Sequence, residues 1–181
     1  FMTYIDCLND PLGEFYPEQN NSKVDTIISY GGEFLDYHIN DEITFLEKSA
    51  YVEYQDIKLS SGKIMMDWET NLLDAIKLDD DYPKIKTADE APMHGNSMVF
   101  DIIEKHGQID QGRTSYDQSF YHGKKVYRDD PNIFHVQKSK YTSCELEHPH
   151  FYLASKKMKM YPGDRVIAKP LWLFVYDIPI I

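Results

Sequence analysis

The sequence predicts an all-β fold, and three observations carry the prediction. Turn-forming residues recur at a regular pitch, apolar residues alternate between the turns, and aromatics make up 14% of the chain, with 14 Tyr and 9 Phe. Aromatic side chains suit a pleated, half-buried surface better than the stripe of a helical bundle. One set of turns falls at residues 40–41, 69–71, 104–107, 129–132 and 161–164; a second interleaves at 55–56, 87–92, 115–118 and 145–149. Within each set the spacing is roughly 30 residues, in the range of repeated supersecondary units. Each half-period leaves about ten residues, enough for a strand and its bend.

Taken in order, residues 1–25, with Pro11, Gly13, Pro17 and Asn20-Asn21, read as an irregular lead-in, and residues 26–181 as one β-domain. Leu35, Tyr37 and Ile39 share a face before the first turn. Ala50, Val52 and Tyr54 share a face, with Tyr51 and Glu53 opposite. Ile64, Met66 and Trp68 repeat the pattern against Met65 and Asp67. Met98, Phe100 and Ile102 repeat it again, and Met158 and Met160 fit it before the last turn. Strand side chains point to opposite faces in turn, so an alternating apolar run arriving at a polar turn is a period-two signal. Two windows also fit a helix: 64–76 carries an apolar stripe, and 97–107 ends in glycine. The same registers recur over 121–141, where Pro131 is incompatible with a helix interior, so both windows are read as strands.

The length suits a single domain with a sizeable core. No apolar run approaches the length of a transmembrane helix. No signal peptide is visible, and the start at Phe1-Met2 reads as a processed or trimmed piece. The net charge of −11 is uneven: residues 1–112 hold 8 Lys/Arg against 23 Asp/Glu, a net of −15, whereas 113–181 hold 11 against 7, a net of +4. A solvated acidic surface accounts for most of this, and the basic end is the one suited to phosphorylated head groups. So acidic a chain is a poor nucleic-acid binder.

Cys7 and Cys144 show no metal-binding spacing; they are free, paired together, or paired with cysteines elsewhere. His148-Pro-His150 lacks further ligands at suitable spacing, so no metal site is assigned. No serine nucleophile elbow, phosphate loop or zinc-protease helix is present, and neither catalysis nor a cofactor is expected.

Two sections resemble a known family. Val-Glu-Tyr-Gln-Asp-Ile-Lys-Leu at 52–59 is followed by Ile-Met-Met-Asp-Trp at 64–68 and an apolar return at 72–76. The closing section runs from Phe134-His-Val136 through Tyr141-Thr-Ser-Cys144 to a final apolar strand and Asp177-Ile-Pro-Ile-Ile181. Through them, residues 25–181 resemble the OstA-like lipopolysaccharide-transport proteins, and in particular the N-terminal periplasmic domain of the outer-membrane assembly protein LptD.

That resemblance implies an antiparallel β-jelly roll, V-shaped and open along one side, in the periplasm at the outer membrane of a Gram-negative bacterium. Such a domain receives lipopolysaccharide from a bridge protein of similar fold by edge-strand addition. It passes the lipid to an outer-membrane barrel with its plug lipoprotein, and that barrel would follow Ile181. Residues 25–39 would meet the bridge protein and 171–178 would lead towards the barrel.

The acyl chains would need a shielded track, since exposing each methylene costs about 0.8 kcal/mol. The candidates for its lining are Leu35, Tyr37, Ile39, Val52, Tyr54, Ile64, Met66, Trp68, Met98, Phe100, Ile102, Met158 and Met160. The methionines suit acyl chains of varied shape because the thioether repacks easily. Lys156, Lys157, Lys159, Arg165 and Lys169 are head-group candidates. By the same resemblance Cys144 corresponds to the family's bridging cysteine and Cys7 to its N-terminal one. The alternatives are a non-catalytic β-repeat scaffold with a closed core, and a carbohydrate-active β-enzyme.

Overall fold

A computed structural model describes residues 27–87, 91–116, 118–130, 133–146, 148–161 and 164–180, so the expected lead-in over 1–25 lies outside the described residues. The strands are β1 (Ile28–Gly31), β2 (Phe34–His38), β3 (Ile43–Tyr54), β4 (Ile57–Asp67), β5 (Leu72–Ile76), β6 (Lys84–Thr87) and β7 (Met93–His94). They continue as β8 (Ser97–Asp101), β9 (Gly107–Tyr116), β10 (Ser119–Asp130), β11 (Ile133–Thr142), β12 (Phe151–Tyr161), β13 (Arg165–Val175) and β14 (Ile178–Pro179). Both windows that also fitted a helix are strands and turns.

Among the described residues all 14 strands belong to one sheet. Its pairing is antiparallel and forks at β4, which pairs β5 over 63–67 and β6 over 57–60. The branches rejoin at β9, which pairs β8 over 107–110 and β7 over 113–114. With β5 on β8 and β6 on β7, the strands between β4 and β9 form two facing layers. This is a jelly roll whose long strands run through both layers.

The bend between the layers is written into the backbone. In β3 the register breaks between Glu47 and Ala50, where Lys48 and Ser49 take φ of 57° and 52°. In β4 the switch of partner falls at Ser61-Gly62, and a Cβ on Gly62 would sit 2.6 Å from the Leu78 backbone nitrogen. Only glycine fits so close an approach. Gln111 in β9 and Lys138 in β11 take φ of 53° and 48°, and the β12–β13 pairing steps over Lys156 and Pro170. A non-glycine residue at positive φ inside a strand marks a bulge, which bends the strand. Because these irregularities fall beside one another on successive strands, the whole sheet creases along one line.

Two walls result. The first holds 43–47, 63–67, β5, β8, 107–110, 125–130, 133–137, 157–161 and 165–169. The second holds 51–54, 57–60, β6, β7, 113–116, 119–122, 139–142, 151–155 and 171–175. The two interleaved turn sets read from the sequence are the two rims, one per wall. Inward positions alternate along each strand. Leu46, Leu59 and Ile64 are 0% exposed, with Met66, Leu73 and Met98 packed around them.

Candidate functional site

The interior is sealed over the N-terminal half of the sheet and open over the C-terminal half. Two polar bridges clasp the rims over the sealed part. Lys105 Nζ, in the turn after β8, lies 2.9 Å from Asp56 Oδ1, in the turn between β3 and β4. That hydrogen bond holds the Asp56 carboxyl below its ordinary range. Arg128 Nη1 on the first wall donates to Thr87 Oγ1 on the second at 3.3 Å, and its guanidinium stands 5.5 Å from the Phe134 ring centroid.

Beyond this clasp the walls enclose a cavity of about 570 Å³, within the roughly 300–1,000 Å³ of small-molecule sites. The first wall contributes Phe100, Ile109, Val126, Phe134, Met160 and Val166; the second contributes Ile85, Met93, Thr114, Tyr116 and Tyr121. Polar groups border it at Thr87 and Arg128, and again at Tyr161, Asp164 and Arg165 on the β12–β13 rim. Arg128 is 7% exposed, and a guanidinium stays charged in a protein, so the trough joins apolar walls to a fixed cation. Chemically it fits a chain-like apolar body with a polar or anionic end.

The predicted lining residues divide into three groups. Phe100 and Met160 border the cavity. Val52, Tyr54, Ile64, Met66, Met98, Ile102 and Met158 lie in the buried core. Trp68 is half-buried beside it, donating from Nε1 to Thr44 Oγ1 at 2.8 Å.

Leu35 and Tyr37 make the third group. They pair opposite the inward Leu46 and Thr44, so their phase is inward, yet they are 54% and 48% exposed. Their strand is the edge of the first wall, facing the short edge strand β1 on the second, where Tyr30 packs on Trp68 (ring centroids 5.5 Å apart), and Ile39 stands in the following turn, also exposed. Inner-face apolar residues therefore surface at the N-terminal edge.

Among the head-group candidates, Arg165 borders the cavity, with its guanidinium 5.0 Å from the Tyr161 ring centroid. Lys157 and Lys159 alternate with Met158 and Met160 and so belong to the outer face, where Lys169 pairs opposite Lys157. Lys156 sits on the crease with its ammonium 5.7 Å from the Trp172 ring centroid. Cys144 holds a free thiol, Sγ 3.6 Å from His150 Nδ1, and Cys7 lies outside the described residues. Among the described residues no three His, Cys, Asp or Glu side chains gather as a metal cage.

Ile85, Met93, Thr114, Tyr116, Tyr121 and Arg128 border the trough without having been picked out in the sequence. The available signal was Val126-x-Arg128, in phase across the hairpin with Phe134 and Val136.

Fold and site together define a class: an antiparallel jelly roll clasped shut over one half and opening into an apolar trough over the other. No family model matches the chain, and no curated protein matches it. Among solved structures it is similar to LptH, the LptA homologous periplasmic component of the conserved lipopolysaccharide transport device from Pseudomonas aeruginosa. The TM-score is 0.48 and the identity 13%, over 57% of this chain and 76% of that one.

Proposed function

We propose that this chain is a lipopolysaccharide-transport module of the periplasm, acting as the N-terminal domain of an LptD-like outer-membrane assembly protein. The observation that carries the reading is the trough: about 570 Å³ bordered by apolar side chains, with Arg128 and Arg165 at its margins. A multi-acyl lipid gains about 0.8 kcal/mol per methylene shielded, and guanidinium groups pair with phosphate in a bidentate fork.

The exposed edges fit a relay. β2 presents Leu35 and Tyr37 in inward phase at the N-terminal edge, where a bridge protein of similar fold would add its strand and cover them. At the other edge Leu171 and Ile178 are exposed, where the chain would continue towards a barrel and its plug lipoprotein. In the oxidising periplasm Cys144 and Cys7 would bridge to barrel cysteines and fix the angle between the domains. The sealed half resembles a closed scaffold, but a scaffold has no use for the trough.

Native mass spectrometry of the freshly purified chain tests this. The expected spectrum contains a lipid-A-bearing adduct at one per chain, released by organic solvent. A spectrum of bare protein from cells that make lipopolysaccharide would overturn the reading.

A further inference from the structure

The register of the second wall assembles a basic row that is invisible in the linear sequence. Lys84 pairs opposite His94, His94 opposite Arg113, Arg113 opposite His122, and His122 opposite Lys140. All are exposed, on the side of the sheet away from the trough. Neighbouring strands lie about 4.8 Å apart, so the row from β6 to β11 spans roughly 19 Å. The same row continues through Ser60 to Tyr51 at one end and through Ala154 to Trp172 at the other.

No carboxylate interrupts the row, although the chain as a whole carries −11. Among the described residues Lys84 and Arg113 are in no ion pair, and Lys140 rests over the Tyr152 ring at 4.5 Å from its centroid. Partial burial, with Lys84 and Arg113 beside His94 and with Arg113 and Lys140 beside His122, lowers both imidazole pKa values. Permanent charge therefore alternates with neutral imidazole along the line.

Both ends carry an aromatic ring under a lysine. Lys58 lies 5.9 Å from the Tyr51 ring centroid, and Lys156 lies 5.7 Å from that of Trp172. Amphipathic aromatics with flanking lysines are the side chains favoured at a membrane–water interface.

We propose that this face lies against an anionic lipid bilayer, with Lys84, Arg113 and Lys140 meeting phosphate head groups and Tyr51 and Trp172 anchoring the ends. A straight row on an exposed strand face matches a plane of many anions rather than one enclosed ion. The acidic remainder of the molecule is repelled by such a surface, which sets one face towards the membrane. The proposal stands on the outer face alone and is independent of what the trough carries.

Co-sedimentation of the full chain with phosphatidylcholine vesicles, with and without one third phosphatidylglycerol, tests it. The native chain is expected to sediment with the anionic vesicles only, and to be released as salt screens the charges. The K84Q/R113Q/K140Q variant is expected to bind on the order of a hundredfold more weakly. A K48Q/K63Q/K125Q variant makes the same change in net charge away from the row and should bind as the native chain does. Absence of binding, equal binding to neutral vesicles, or equal loss in both variants would overturn the proposal. So would a row that instead governs self-association of the chain in sedimentation equilibrium.

Discussion

Replacing Ile64 by alanine is expected to lower the unfolding free energy by roughly 2–5 kcal/mol. Ile64 is 0% exposed on β4, the strand on which both branches of the sheet depend. Truncation removes buried methyl and methylene groups and leaves a void between two walls that the crease holds at a fixed separation. Stabilities of single domains are about 5–15 kcal/mol, so the loss is a large fraction of the total. At about 2–4 °C per kcal/mol for a chain of this size, the Tm should fall by roughly 4–20 °C. Urea titration followed by Trp68 and Trp172 fluorescence measures it. Below the new transition, lipid capture should be unchanged, because Ile64 does not border the trough. A shift within about 0.5 kcal/mol, as found at exposed sites, would show that this half is not tightly packed.

Met160→Glu should do the reverse, sparing the fold and removing the cargo. Met160 is half-buried where β12 borders the trough, so a carboxylate there can turn partly towards water and should cost about 1 kcal/mol of stability or less. With an acyl chain alongside, that escape closes. Burying an ionised carboxylate against alkyl surface costs several kcal/mol unless it is paired. The fraction of chains carrying lipid in native mass spectra should fall at least tenfold, a loss of about 1.4 kcal/mol or more. Met160→Leu keeps volume and apolarity and should retain the lipid. Undiminished lipid in Met160→Glu would place the cargo elsewhere.

Much of the architecture is readable from residues 40–164 because turns and alternation are local. The interleaved turn sets correspond to the two rims, and 72–76 is β5. Leu35 and Tyr37 have the inward phase the sequence assigns them; their exposure depends on which strand lies across the cleft, which no local pattern encodes. The crease is harder to see. Lys48, Ser49, Gln111 and Lys138 adopt positive φ without glycine, asparagine or aspartate to announce it. Gly62 and Gly112 were the available hints, since glycine inside a strand often marks a bulge or close approach.

The trough is hidden for a different reason. A period-two pattern shows which side chains face inward but not whether the opposite wall reaches them. Met66 and Met160 look alike in sequence, yet Met66 is 1% exposed in the sealed core and Met160 lines open space. The basic row is still less visible, because residues 84, 94, 113, 122 and 140 become neighbours only through cross-strand register.

The most direct measurement is photocrosslinking in cells from a benzophenone amino acid placed at single tyrosines. Tyr121 and Tyr161 border the trough, whereas Tyr82 in the loop before β6 and Tyr127 on the outer face do not. Lipopolysaccharide should be captured from the first two positions and not from the second two. Equal capture from all four, or from Tyr82 and Tyr127 alone, would contradict the trough as the path of the lipid.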